Sequence, residues 1–417
     1  MKIAVVGGGS TYTPELIDGF ARLDADINEL TLIDPAAERL DVIGRLAARI
    51  MRRHGHPGRV TWTSDLDAGL TDADAVIIQL RVGGQSARIS DETFPLDCGC
   101  VGQETTGAGG LAKALRTIPV VLDVARRARL RAAPGAWIVN FTNPTGLLTR
   151  ALLDDGHRAV GLCNVAIGFQ RRFAALLDVA PEQVTLDHVG LNHLTWERGV
   201  LVGGADRLPE LLDRHLDTLA DHVGLPPEIL SGLECVPSYY LRYFYSHDRV
   251  VAEQRGTPSR GQQVADMERT LLELYADPNL DTKPELLAQR GGAYYSEAAV
   301  GLIGSLRRGD GAVHAVNVRN DGTLPFLPDE AVIEVSCRVD EDGAAPLPVR
   351  PVGPHLSGLM AHVSGYEELA VQAAVHGGRE RVYQALLAHP LVGQHDLAQG
   401  LTGRLLAENT AHLGWAA

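Results

Sequence analysis

The sequence predicts an α/β chain, with an N-terminal doubly wound parallel sheet followed by a mixed α+β lobe. Three observations carry that reading. Residues 2–6 form an apolar run that breaks at once into Gly7, Gly8 and Gly9. Short apolar runs recur at 30–33, 75–80, 136–141 and 159–162, with helical periodicity at 14–23, 36–53 and 117–131 between them. Beyond residue 165 the pattern changes to long helical stretches interrupted by short strands.

The first strand and its glycines read as the start of a Rossmann-like βα unit. Backbone N–H groups at such a turn, followed by a helix N-terminus, approach a pyrophosphate closely and stabilise its charge. Gly7, Gly9, Ser10 and Thr11 are the candidate dinucleotide contacts there. Asp34 ends the second strand, where its carboxylate would accept hydrogen bonds from an adenosine ribose. The spacing from Gly9 to Asp34 is 25 residues, against a usual value of about 20. Tyr12 stands where the third glycine of G-x-G-x-x-G is expected. The competing reading is a glycine turn that holds no ligand.

Further strand ends carry polar loops that should converge beside the glycine turn. They are Gln79–Gly84, Asn140–Gly146 and Cys163-Asn164. Val82, Asn140 and Thr142 complete the candidate dinucleotide set. Cys163 follows the apolar run 159–162, so its thiol should emerge at a strand's C-terminal end, the ligand side of an open parallel sheet. Thr142-Asn143-Pro144 taken alone reads as a turn with a helix cap. In the second lobe, residues 183–203 read as paired strands, and 207–224, 260–276, 284–289 and 364–388 as helices. The Pro/Gly-rich stretch 343–354 reads as a surface loop. The domains expected are a dinucleotide-binding unit over 1–165 and a substrate and oligomerisation unit over 166–417.

Composition narrows the class. A chain of 417 residues exceeds the size of a single core. A net charge of −14 argues against nucleic acid as a partner. No apolar run has the length of a membrane span, and Met1 leads into a strand rather than a signal peptide, so a cytoplasmic enzyme is expected. Five cysteines without a scaffold spacing argue against a disulfide framework. Cys98-Gly99-Cys100 lacks a zinc-knuckle spacing and reads as a pair of inert thiols.

Several segments, in order along the chain, resemble glycoside hydrolase family 4. They are Gly-Gly-Gly-Ser-Thr-Tyr-Thr-Pro-Glu-Leu (7–16), Arg-Val-Gly-Gly (81–84), Gly-Gln-Glu-Thr-Thr-Gly (102–107) and Phe-Thr-Asn-Pro-Thr-Gly (141–146). Cys163-Asn164, Gly-Leu-Asn-His-Leu (190–194), Tyr-Leu-Arg-Tyr (240–243) and Gly-Gly-Ala-Tyr-Tyr-Ser (291–296) continue the series. The resemblance implies an architecture similar to that of lactate and malate dehydrogenases, with NAD and a divalent metal, usually Mn²⁺, as cofactors. The implied activity is hydrolysis of 6-phospho-β-glucosides by a homodimer or homotetramer. NAD⁺ takes hydride from sugar C3, a protein base removes the C2 proton, elimination expels the aglycone from C1, water adds, and hydride returns.

By the same resemblance Cys163 and His193 are the metal ligands, although manganese ordinarily prefers oxygen donors. Tyr240 is the base, with Tyr239 the neighbouring alternative; a phenol of pKa about 10 needs a nearby cation for that work. Arg81, Asn143, Asn164 and Arg260 form the sugar site, where arginine forks suit an anionic 6-substituent. Gln262 departs from the Glu usual two residues after the Arg260 position. Asn at 164, where α-acting members tend to carry Asp, favours the β-anomer. His188 reads as structural. The alternatives are a family member acting on another 6-anionic or unphosphorylated glycoside, an NAD-dependent hydroxy-acid or sugar dehydrogenase, and a catalytically silent NAD sensor.

Overall fold

The computed structural model describes residues 1–23, 26–292 and 294–416. Ala293 of the motif 291–296, and Ala417 at the end of the second expected domain, lie outside the described residues.

One mixed sheet of 13 strands organises the described residues. The first six strands are β1 (Lys2–Val6), β2 (Glu29–Ile33), β3 (Arg59–Thr63), β4 (Ala75–Ile78), β5 (Trp137–Asn140) and β6 (Ala159–Gly161). They are parallel and lie in the order β3-β2-β1-β4-β5-β6. That order reverses between β1 and β4, which opens a crevice at the carboxyl ends of the strands. Ile3, Ala4, Val5, Val76, Ile77 and Ile78 are fully buried, as a parallel sheet covered on both faces requires.

The remaining strands are β7 (Val184–Leu191), β8 (Leu194–Val202), β9 (Ala205–Asp206), β10 (Val236–Pro237), β11 (Ala312–Arg319), β12 (Val332–Asp340) and β13 (Gly343–Pro346). They extend the same sheet. β11 pairs antiparallel with β6 at Asn317 and Gly161, and β12, β7, β8 and β10 follow, all antiparallel. β9 and β13 attach to β8 and β12. Gly161 makes the junction possible, because a Cβ there would lie 2.2 Å from Thr149 Oγ1 and 2.9 Å from Asn317 Cβ.

Several elements differ from the sequence expectation. The helix expected over 117–131 starts at Gly107. Its glycines are poor helix formers in isolation, but Gly109 and Gly110 pack against the backbone of Asp91, Gln103 and Thr105, so tertiary contact overrides propensity. The stretch 207–224 divides into Leu208–Arg214 and Leu216–Val223. The helix at 284–289 shrinks to Leu286–Gln289. The run 364–388 is the end of Pro354–His376 plus Arg379–Ala388, broken at Gly377 and Gly378, both at positive φ. The expected loop 343–354 contains β13, whose weak strand propensity is offset by pairing with β12. All five cysteines are free, and no helix among the described residues is long and apolar enough to cross a membrane.

Candidate active site

The switch point between β1 and β4 holds a crevice of about 730 Å³. Gly7, Gly9, Ser10, Asp34 and Val82 line it. Gly7 has φ +88°, and a Cβ there would sit 2.4 Å from the Gln79 carbonyl oxygen, so glycine is required. At Gly9 a Cβ would lie 2.7 Å from Asp34 Cγ. Asp34 accepts the Gly9 N–H at 3.1 Å and the Ala36 N–H at 3.0 Å, tying the glycine turn to the end of β2. Thr11 is buried below the turn, where its hydroxyl donates to Glu268 Oε1 at 2.9 Å. Asn140 is likewise buried; its amide braces Thr142, accepting that residue's N–H at 3.1 Å.

Tyr12, in place of the third glycine, reaches across to the second lobe. Its hydroxyl donates to the Gly292 carbonyl in a short hydrogen bond, and its ring meets Tyr295 edge-on at 6.2 Å. The departure from the glycine pattern is thus a contact between the two halves of the chain.

Next to the crevice lies a second pocket of about 290 Å³, which shares with it Ser10, Gln79, Leu80, Arg81 and Arg290. Thr142, Asn143, Asn164, His193, Tyr240 and Tyr295 line this pocket. The His193 imidazole stacks on the Tyr240 ring with centroids 3.6 Å apart and planes 7° from parallel. Cys163 is buried two residues beyond β6, close enough to Tyr240 and Tyr295 for its charge to act on both phenols.

The hydrogen bonds around His193 fix its tautomer. Thr105 Oγ1 donates to Gln103 Oε1 at 3.0 Å and lies 3.0 Å from His193 Nδ1. With its proton so committed, the hydroxyl oxygen accepts from Nδ1–H, and the lone pair is left on Nε2. Burial pushes the imidazole down to about 4, so it is neutral at physiological pH. Burial and Glu334 raise the Cys163 thiol, opposed by hydrogen bonds from the Val165, Asn192 and Asn164 groups. Burial also raises Tyr240 well above the ordinary phenol range, with Cys163, Tyr243 and Glu104 adding to the effect.

Sequence reasoning missed the charge cluster beside this trio. Glu104 bonds Arg81, lies 2.7 Å from Lys113 Nζ and 3.1 Å from Arg88 Nε. Burial alone would raise its carboxyl, but Arg81, Lys113 and Arg88 hold it well below the usual range. Burial pushes Lys113 down to about 8 against the pull of Glu104. A lysine in the glycine- and alanine-rich run 107–115 was the available signal.

Two family descriptions match the chain: "Family 4 glycosyl hydrolase" over residues 2–179 and "Family 4 glycosyl hydrolase C-terminal domain" over residues 188–392. The chain belongs to glycosyl hydrolase family 4. A probable 6-phospho-beta-glucosidase of Bacillus subtilis is 37% identical, the match covering 99% of this chain and 97% of that protein. The 6-phospho-beta glucosidase of Thermotoga maritima, solved with manganese, NAD⁺ and glucose-6-phosphate, matches at TM-score 0.93 and 33% identity over 99% of each chain. A malate dehydrogenase from Salinibacter ruber, 17% identical over 91% of this chain and 99% of that one with a TM-score of 0.55, shares the fold.

Within this family 4 chain, the residues expected at the sugar site divide between two cavities. Asn143 lines both the small pocket and an adjoining cleft of about 920 Å³, as does Tyr240. Arg81 and Asn164 line the small pocket, whereas Arg260 lines only the cleft and donates to the Gln289 carbonyl at 2.6 Å. Tyr239 lies on the cleft side, 43% exposed, and accepts from Arg242 Nη1 at 2.7 Å. His188 is buried between two carboxylates.

Proposed function

We propose that the chain hydrolyses 6-phospho-β-glucosides, with NAD bound along the glycine turn and Asp34 and a divalent metal, Mn²⁺ by preference, held by Cys163 and His193. The observation that carries this reading is an imidazole stacked on a phenol in a pocket that opens onto a dinucleotide crevice, with a buried thiol at the nearby end of β6. Hydride transfer alone needs no such trio, which counts against a plain dehydrogenase. The same family reading makes the enzyme a homodimer or homotetramer of the cytoplasm.

The residues fit both groups. Bare glycine backbone and the anchored Asp34 carboxylate offer a pyrophosphate and a ribose their usual partners. No cluster of three or more His, Cys, Asp or Glu side chains suited to a metal occurs among the described residues, and in this reading Cys163 and His193 would be the protein's share of the donors. When bound, NAD⁺ supplies a hydride acceptor and the cation stabilises enolate charge.

Tyr240 Oη takes the C2 proton in this reading. Burial keeps that oxygen protonated in the bare pocket, so its base form demands positive charge beside it. His193, stacked flat on the phenol, fixes the ring's plane. Arg81, Arg88 and Lys113 supply a cationic wall for the 6-phosphate, partly neutralised by Glu104 and by Glu92 on Arg88.

The test is p-nitrophenyl β-glucoside 6-phosphate with enzyme, NAD⁺ and Mn²⁺ under reducing conditions, beside the α-anomer and the unphosphorylated glucoside. Nitrophenol release from the phosphorylated β-anomer, with a primary deuterium effect at C2 or C3 and no net NADH, is expected. Release that persists without NAD⁺ and metal overturns the mechanism, and net NADH restores the dehydrogenase.

A further inference from the structure

A row of buried polar groups runs through the second half of the sheet and ends on the Cys163 sulfur. His188 on β7 places Nδ1 2.6 Å from Glu197 Oε1 on β8 and Nε2 3.1 Å from Glu334 Oε1 on β12. The three side chains are at most 1% exposed. Glu334 Oε2 accepts from Asn192 Nδ2 and from Asn317 Nδ2, each at 2.9 Å. Asn192 directly precedes His193 in the β7–β8 turn, and its side chain favours the ionised form of the Cys163 thiol.

Burying three ionisable groups carries a large desolvation penalty, and apolar packing of the same volume commonly folds as well. The row therefore calls for a reason beyond stability. Its end point supplies one. An ionised carboxylate only accepts hydrogen bonds, so Glu334 dictates which end of the Asn192 amide faces it. The flipped amide would set carbonyl oxygen against carboxylate oxygen. With the NH₂ end held, its second hydrogen is available to the sulfur.

Resting on the metal reading above, we propose that Glu334 is a positioning residue for the cation site. It fixes the Asn192 amide so that its free N–H is offered to Cys163 Sγ and anchors the β7–β8 turn that carries His193, and so sets the two as a ligand pair. His188, a donor at both nitrogens and anchored by Glu197, holds Glu334 in place. Outer-shell partners of this kind typically govern metal affinity by roughly 10- to 100-fold.

The experiment measures Mn²⁺ binding to the full-length, NAD-loaded chain from the electron paramagnetic resonance signal of free Mn²⁺, with the NAD Kd as the report of folding. Variants are Cys163→Ser, Asn192→Ala, Glu334→Gln and the Asn192→Ala/Glu334→Gln double variant. Expected are a 10- to 100-fold rise in the Mn²⁺ Kd for each single outer variant, a double variant no worse than the worse single, and an unchanged NAD Kd. Saturating Mn²⁺ should recover most of kcat in Asn192→Ala. An Asn192→Ala chain that binds NAD normally and Mn²⁺ within threefold of the parent overturns the proposal; if Glu334→Gln does not fold, this variant decides alone. A normal Mn²⁺ Kd in Cys163→Ser overturns the metal reading itself, so the two failures are distinguishable.

Discussion

The dinucleotide crevice and the sugar pocket share five lining residues yet are built by opposite means. The crevice is a backbone structure. Gly7, Gly9 and the Asp34 carboxylate come from two neighbouring parallel strands, and its walls rest on fully buried aliphatic residues. The pocket is assembled from side chains of separate segments: Lys113 and Glu104 around one helix start, Asn164 after β6 next to the buried Cys163, His193 between β7 and β8, and Tyr240 beyond β10. Its supports are buried charges rather than apolar packing. Binding a cofactor that many folds share needs a shape, whereas abstracting a proton from a sugar needs charge held against desolvation.

The sharpest break in the comparison should come from Tyr240→Phe. It removes the proposed proton acceptor while keeping the ring stacked on His193, so kcat should fall about 10²- to 10⁴-fold, with NAD affinity unchanged by fluorescence titration. Turnover within tenfold of the parent would move the base elsewhere, with Tyr239 next to be tested.

A smaller and opposite effect is expected on the crevice side. Gly9→Ala forces a methyl group to within 2.7 Å of Asp34 Cγ. The NAD Kd should rise roughly tenfold, the equivalent of about 1.4 kcal/mol, while Mn²⁺ binding to the variant at saturating NAD stays as it was. Equal losses of both ligands would show that the two regions do not act as separable constructions.

A further prediction concerns stability alone. Burial lowers the His188 imidazolium, but Glu197 and Glu334 overrule it and push it up to about 10. Its folded pKa lies above the unfolded value of about 6.5, so its contribution is complete below that pH and is lost as pH rises through about 10. Urea midpoints should therefore fall between pH 7 and pH 10 in the parent and fall less in His188→Gln.

This contrast also explains what could be read from the sequence. Strands with continuous apolar runs and a glycine turn announce themselves locally, so β1, β2, β4, β5 and β6 and the crevice residues were legible, as was Cys163 at a strand end. The edge strand β3, partly exposed and bearing a tryptophan among threonines, was not. The pairing of Asn317 with Gly161, which joins the lobes into one sheet, spans 156 residues and has no local signature. Glu104 and Glu334 were missed for the same reason: a lone acid declares nothing until the fold supplies its partners. Thr11, just after the turn, and Asn140, at the end of β5, lie one layer beneath the crevice as braces.

His193 occupies the second position of the two-residue connection between β7 and β8, at φ +62°. A glycine or asparagine would adopt that backbone more readily. Folding alone would therefore select against histidine here. Laboratory evolution of this chain for heat tolerance, without a simultaneous demand for turnover, should drift toward glycine at this turn and yield a sturdier protein stripped of its proposed metal ligand.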